Sequence, residues 1–345
     1  MAGVASFPEI PLISLVKSTA EEVLQALSTV GFIHLELEGT GLAQVDIDRA
    51  FQLSALIHSM PVGERAGSMH DARGNGYIGM RGSLDERVTK KDLKETYMWG
   101  RFDSNLDETE TTQVLPPALQ DHTQEIVDFD NKCFEASLKI LDILSLAFNL
   151  PKDFFRSLHK DAGTNGLAFL NYPALSKLPA DDDIRAGSHK VANHIALLWT
   201  DWGDITLLFQ DKNGQPGLQI YLPTEATKRQ RGIQLIQGDV DLESGVWITA
   251  PIIPNTVLVN VGLVLEGMTD GLCKATVHRV IFPKAATTEL PKNRKTIAYF
   301  CTPSHDIVMN TVKPGGIFVE KPGAPTVGTF FRERQKLTGT NYTKS

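Results

Sequence analysis

Cysteine is scarce in this chain: Cys133, Cys273 and Cys301 are widely spaced and odd in number among 345 residues. That pattern excludes a disulfide framework and predicts reduced, buried thiols of the kind found in an intracellular compartment. Basic charge is not in excess either. Thirty-four Lys and Arg stand against 41 Asp and Glu, for a net charge of −7 and a pI near 5.7, which argues against a phosphate-backbone ligand. The one basic cluster, Lys228, Arg229 and Arg231, reads as a solvated loop. No uninterrupted apolar run reaches the roughly 20 residues of a membrane span. The first residues, MAGVASFPEIPLISL, lack the basic and apolar regions of a signal peptide, and the last, NYTKS, match no address or lipid motif. A cytoplasmic monomer that binds neither nucleic acid nor membrane is expected. No repeat or low-complexity tract is present.

What is there is an ordinary globular composition, 42% hydrophobic and 22% charged. Ser18-Thr19-Ala20-Glu21 fits a capping box that opens a helix with Val23, Leu24, Leu27 and Val30 on its apolar face, ended by Gly31. Strand-like Phe32–Leu37 follows, then a helix over about 45–60 that Pro61 stops. GNGYIG at Gly74–Gly79 has nucleotide-loop spacing but no strand before it and no amphipathic helix after it, so it does not read as a nucleotide site. From Pro116 to Leu150 a broad apolar stripe predicts a core-covering helix or helix pair, and PKDFFRSL a shorter one after it. Beyond Gly163 the texture turns to short β-rich runs over 167–173, 204–210, 217–223, 246–253, 256–262, 275–283 and 295–303. Short strands separated by turn residues predict a barrel or a two-sheet jelly roll. GTFFRERQKL predicts a C-terminal helix.

Nine histidines offer ligands. His34, His58, His70, His122, His159 and His305 have no second ligand at useful spacing and read as structural or solvent-facing. His189 is different. With Lys190–Trp199 removed, the chain reads IRAGSHTDWGDITLLFQD, and His189 and Asp201 form a His-x-Asp pair on one face of a strand. An imidazole and a carboxylate so placed are two thirds of the 2-His-1-carboxylate triad that holds non-haem iron(II). His278 lies in the strand-like run ATVHRVIFP, and Arg294 and Thr296 share a face of the next strand, able to grip a carboxylate through a guanidinium fork and a hydroxyl. Alone, Arg294 reads better as a surface strand-edge charge, since surface arginines far outnumber buried ligand-binding ones.

The ordered set resembles the iron(II)- and 2-oxoglutarate-dependent oxygenases of the isopenicillin N synthase-like superfamily. The matching segments are FPEIPLISL, GFIHLEL, DLKETYMWG, NYP at Asn171–Pro173, GSH…TDWGDITLLFQD, GLQI, VNVG…TDG, TVHRV and R-x-T. The resemblance implies an α+β fold with a mainly β core, a double-stranded β-helix (jelly roll) with flanking N- and C-terminal helices. It implies an N-terminal dioxygenase region over 1–120, linking helices over 121–163, a catalytic jelly roll over 164–304 and a tail with a helix over 305–345. His189, Asp201 and His278 would hold Fe(II), and Arg294 and Thr296, with Tyr172, would bind the distal carboxylate of 2-oxoglutarate. Dioxygen would be the other cosubstrate. The implied reaction couples oxidative decarboxylation of 2-oxoglutarate to hydroxylation, desaturation or cyclisation of a small organic molecule, in secondary metabolism. Two positions depart from the family pattern: Thr296, where Ser is usual, keeps the hydroxyl, and Leu263 stands where Asp is common. An oxidase of the same fold that needs no keto acid is disfavoured by Arg294 and Thr296.

Three readings of Lys190–Trp199 stay open. The segment bulges out and leaves both ligands in place, at a closure cost of about a few kcal/mol, although IALLW would then be exposed. Or the strand keeps its register and Trp199 takes the place of the first histidine, leaving a homologue with an impaired iron site that acts as a binding protein. Or the residues derive from a retained intron tail in the transcript.

Overall fold

The computed structural model describes residues 9–66, 75–79, 94–100, 115–160, 165–173, 184–186, 190–191, 194–195, 201–214, 216–223, 245–281 and 293–337. The N-terminal part contains β1 (Leu12–Ile13), α1 (Ala20–Thr29), β2 (Phe32–Glu36), α2 (Gln44–Ser59), α3 (Val62–Ala66), β3 (Gly76–Ile78) and β4 (Glu95–Gly100). Then come α4 (Pro117–Gln120), α5 (Thr123–Ala147), a 3-10 turn (Arg156–Leu158), β5 (Gly166–Tyr172), β6 (Ile184–Ala186), β7 (Lys190–Val191) and β8 (His194–Ile195). The remainder is β9 (Ile205–Gln210), β10 (Leu218–Pro223), β11 (Gly245–Thr249), β12 (Thr256–Val261), α6 (Leu263–Met268), β13 (His278–Ile281), β14 (Arg294–Cys301), β15 (Thr311–Lys313), β16 (Ile317–Val319) and α7 (Val327–Leu337).

Two sheets make the core. An eight-stranded sheet runs β1-β2-β12-β9-β14-β5-β4-β3, and a four-stranded sheet runs β11-β10-β13-β6. Their pairings are antiparallel except β1 with β2. This is the jelly roll. The two-residue period of the strands sorts their side chains into two layers. Ile33, Leu35, Leu167, Phe169, Leu207, Phe209, Val257, Val259, Ile297 and Tyr299 join one cluster with Leu27, Ile57, Leu141 and Leu144 of the helices. The alternate positions, Phe32, Leu258 and Tyr172, meet Leu218, Ile220, Leu222 and Val280 of the smaller sheet. Each such buried Leu, Ile or Phe contributes about 1.5–3 kcal/mol. The second layer is where ligands of a jelly roll enter.

Local chemistry explains where elements begin. The capping box of α1 is one residue later than the sequence pattern suggests: Thr19 Oγ1 accepts from Glu22 N at 3.2 Å and Glu22 Oε2 from Thr19 N at 2.8 Å. Ser18 is already engaged, since its hydroxyl accepts from Ser14 N at 3.1 Å. PKDFFRSL forms turns and the 3-10 turn in place of the predicted helix. The described part of GNGYIG is strand, with Tyr77 opposite Tyr97. Three cysteines are free and buried. No helix among the described residues is long and apolar enough to cross a membrane.

Candidate metal and cosubstrate site

His278 opens β13 directly opposite Ile220, a residue of the inter-sheet layer, so its ring points between the sheets. Its Nδ1 lies 3.1 Å from the Thr276 carbonyl oxygen. An N–H at Nδ1 donated to that carbonyl leaves Nε2 with its lone pair outward, the tautomer a metal ligand requires. Phe32 packs edge-on against the ring, centroids 5.5 Å apart at 78°. The approach to His278 is set by glycine. Gly31 has φ +73°, and a Cβ there would run into the Lys274 carbonyl and the Thr276 hydroxyl. Thr276 Oγ1 then donates to Val30 O at 2.6 Å, tying the His278 segment to the end of α1.

Asp201 lies just ahead of a bend over residues 202–204 that leads into β9, and not in the strand the sequence suggests. Close backbone packing bends it: a Cβ on Gly262 would strike Gly203, and one on Gly203 would strike the Cys301 carbonyl. Leu263 N donates to Asp201 O at 2.8 Å, and Asn260 Nδ2 to Asp201 Oδ2 at 2.7 Å. Three residues on, Asp204 is fully buried, its Oδ2 3.5 Å from His159 Nε2, while His159 Nδ1 lies 3.0 Å from Phe155 O. Burial pushes Asp204 up to about 8 and His159 down to about 4, so both are neutral at pH 7. The turn itself is held by its backbone, with Asp204 N donating to Cys301 O at 2.9 Å and Gly262 N to Asp204 O at 2.8 Å.

On β14, Arg294 stands opposite Tyr172, and Thr296 opposite Leu170, both on the inter-sheet face. Arg294 is 5% exposed and Thr296 3%. Arg294 Nη1 and Nη2 and Thr296 Oγ1 are buried with no hydrogen-bond partner. The Tyr172 ring lies 5.1 Å from the guanidinium carbon, and desolvation lowers the Arg294 pKa from its ordinary value. Two parallel N–H donors and a hydroxyl, all without partners in a dry interior, fit a carboxylate. Beside Tyr172, Asn171 Nδ2 donates to Glu95 Oε2 at 3.0 Å, which also accepts from Arg65 Nη1 at 2.9 Å, while Tyr77 OH donates to Glu95 Oε1 at 3.0 Å. Burial raises the Glu95 pKa, but those donors outweigh it and hold the carboxyl below its ordinary value. Glu95 of DLKETYMWG thus secures the strand end that carries Tyr172.

The structure therefore gathers Arg294, Thr296 and Tyr172, and aims His278 into the same inter-sheet layer. Asp201 and His278 are linked through one cross-strand pair, Asn260 and Phe32. His189 lies outside the described residues, and among those described no three His, Cys, Asp or Glu cluster as a metal site. Within Lys190–Trp199, β7 and β8 pair with each other, Lys190 with Ile195 and Val191 with His194, and with neither large sheet. The residues that sequence reasoning passed over are Asn260, Phe32 and the Asp204–His159 pair. The signal for Asn260 was a lone amide in the apolar run TVLVNVG.

Comparison with known proteins bears on this geometry. Residues 199–303 match the 2OG-Fe(II) oxygenase superfamily, and residues 10–119 the N-terminal region described as non-haem dioxygenase in morphine synthesis. The chain is 31% identical over 329 residues to UPF0676 protein C1494.01 of Schizosaccharomyces pombe, covering 91% of this chain and 87% of that protein. It is 23% identical to the 2-oxoglutarate-Fe(II) type oxidoreductase ppzD of Metarhizium majus, covering 92% and 88% of the two chains. The crystal structure of a full-length Neurospora crassa protein in complex with alpha-KG superposes with a TM-score of 0.73 at 26% identity, covering 95% of this chain and 96% of that one. The same protein in complex with alpha-KG and thymine gives 0.72 at 25%, covering 95% and 97%. Fe(II), 2-oxoglutarate and dioxygen are the metal and cosubstrates that go with this fold and these relatives, and the chain belongs to the 2OG-Fe(II) oxygenase superfamily.

Proposed function

We propose that this dioxygenase oxidises a C–H bond of a small organic metabolite by hydroxylation, desaturation or cyclisation, in secondary metabolism, as a cytoplasmic monomer. His189, Asp201 and His278 hold Fe(II), and Arg294, Thr296 and Tyr172 hold the distal carboxylate of 2-oxoglutarate. The observation that carries the reading is the buried, partnerless donor set of Arg294 and Thr296. Iron with 2-oxoglutarate and dioxygen supplies an oxidative decarboxylation to succinate and carbon dioxide that drives the substrate oxidation. The chain's own residues orient and enclose. Arg294 fixes one end of the keto acid through a guanidinium fork, Thr296 adds a hydroxyl, and the Tyr172 ring flanks the cation. His278, held by Thr276 and Phe32, presents Nε2. Leu170, Leu208, Leu258, Ile220 and Leu222 make the surrounding layer apolar, which excludes water. Thymine and 5-formyluracil in the Neurospora crassa complexes support a substrate of small-molecule size. Buried thiols suit a reducing compartment.

A second reading, a homologue whose iron site is impaired, is favoured by one observation: the superfamily match begins at Trp199 and leaves His189 outside it. The pairing of β7 with β8 supports instead an excursion that returns toward its own start. Succinate formation from 2-oxoglutarate with added Fe(II), in the full chain and in a chain lacking Lys190–Trp199, separates the two. Turnover by the full chain is expected. No succinate and no iron binding in the full chain, with both restored by the deletion, would establish the second reading.

A further inference from the structure

Asn260 occupies a strand position where packing alone would place an aliphatic residue. It is 1% exposed, faces the inter-sheet layer, and stands opposite Phe32 on β2 and Thr206 on β9, with Leu258 the next inward residue along its strand. Valine or leucine there would leave no polar atom behind, whereas Asn260 Oδ1 is buried with no hydrogen-bond partner. That cost is borne for a single strong contact, the 2.7 Å bond from Nδ2 to Asp201 Oδ2. The orientation of the amide follows from charge: turned over, it would set Oδ1 against a carboxylate oxygen with no proton between them.

We infer that Asn260 is a positioning residue for the metal centre, which holds Asp201 Oδ2 so that Oδ1 alone is presented to iron. The inference rests on Asp201 being a ligand, as proposed above. Among the described residues no other side chain hydrogen-bonds Asp201. The chain just beyond β12 fixes the main chain of the same segment, with Leu263 N donating to Asp201 O and Val264 N to Trp202 O at 3.1 Å. One strand and its continuation thus set both the position and the rotation of the carboxylate. The consequence is chemical. A carboxylate that offers one oxygen would occupy one place on a bound metal ion, where a chelating carboxylate would occupy two and leave less room for the cosubstrates.

The test uses the full chain and Co(II) as the probe. Asn260→Ser is too short to reach Asp201, and Asn260→Leu keeps much of the volume but removes the donor. Both are expected to bind Co(II) at least about tenfold more weakly, with a changed visible absorption spectrum, since band intensity and position report coordination number. A purely structural role would lower the melting temperature and leave the spectrum of the bound fraction unchanged. Affinity within twofold of wild type together with an unchanged spectrum overturns the inference. If both variants fail to fold, the wild-type protein with carboxyl-labelled aspartate decides by infrared difference spectroscopy on Co(II) binding: a widely split pair of carboxylate stretches is expected, and the narrow pair of a chelate overturns it. Asp201→Ala separates the two layers of the argument. Co(II) binding that survives it unchanged means Asp201 is not a ligand; binding lost there but unaltered in the Asn260 variants means that only the role of Asn260 has failed.

Discussion

Replacing Arg294 with Met should stabilise the protein alone and destroy its response to 2-oxoglutarate. In the unliganded fold the guanidinium is buried with Nη1 and Nη2 unpartnered, compensated in part by the Tyr172 ring 5.1 Å away. Cation–π attraction returns about 1–2 kcal/mol, and a buried, incompletely paired charge costs more than that. Methionine fills much of the same volume without the charge, so the substitution should gain about 1–3 kcal/mol in the absence of ligand, raising the melting temperature by about 1–4 °C. With 2-oxoglutarate the sign reverses. The variant loses a charge-assisted fork and keeps only the Thr296 and Tyr172 hydroxyls, a loss of about 3–5 kcal/mol, or about 150- to 5,000-fold in Kd. The assay is thermal unfolding with Mn(II) in place of iron to prevent turnover, with and without 2-oxoglutarate. At 100 times Kd the wild type should gain about 2.7 kcal/mol, and the variant at most about 0.3 kcal/mol at that concentration. Arg294→Lys keeps the charge without the fork and should fall between them. A variant that is no more stable alone and still responds to 2-oxoglutarate like the wild type would refute the assignment of this pocket.

Buried titrating groups set a second prediction. Burial is the leading cause that pushes His34, His58 and His159 down to about 4 from 6.5. Between those values the unfolded chain holds protons that the native state refuses, so stability rises with pH. Asp204 acts in the opposite sense: from pH 3.8 to about 8 the native state keeps a proton that the unfolded chain has lost, so its contribution falls as pH rises. Stability from these groups should peak near pH 6.5 and decline toward 8 with a slope of at most about 1.4 kcal/mol per unit. Asp204→Asn, which mimics the protonated acid, should abolish that decline in urea titrations at pH 6.5 and 8; an unchanged slope would show that Asp204 is ionised in the native state. The Asn260 and Lys190–Trp199 experiments above add two more expected outcomes, weaker Co(II) binding in the first and turnover by the full chain in the second.

The strands around the centre were legible because each is a short apolar run bounded by turn residues, and because 2-oxoglutarate chemistry needs an arginine and a hydroxyl on one strand face. Arg294 and Thr296 lie on that face as alternation requires. Less local features were not legible. Asn260 and Phe32 meet only because β2 and β12 pair, and nothing in either strand announces a partner more than 200 residues away. The Asp204–His159 pair depends likewise on a contact between β9's leading turn and the segment after α5. Three-residue strands such as β15 and β16 carry too little pattern to read, and β16 exposes Ile317, Phe318 and Val319 in place of an inward alternation. The α1 capping box shifted by one residue because Ser18 had a competing local partner, which a spacing rule does not contain.

The three-ligand centre is tested most directly at its first histidine. Co(II) titration and Fe(II)-dependent succinate formation are measured on the wild-type chain and on His189→Ala. A centre with His189 as a ligand predicts one metal ion per wild-type chain with 2-oxoglutarate consumed, at least about tenfold weaker metal binding in the variant, and no succinate from it. Equal metal affinity and equal turnover in His189→Ala would contradict it.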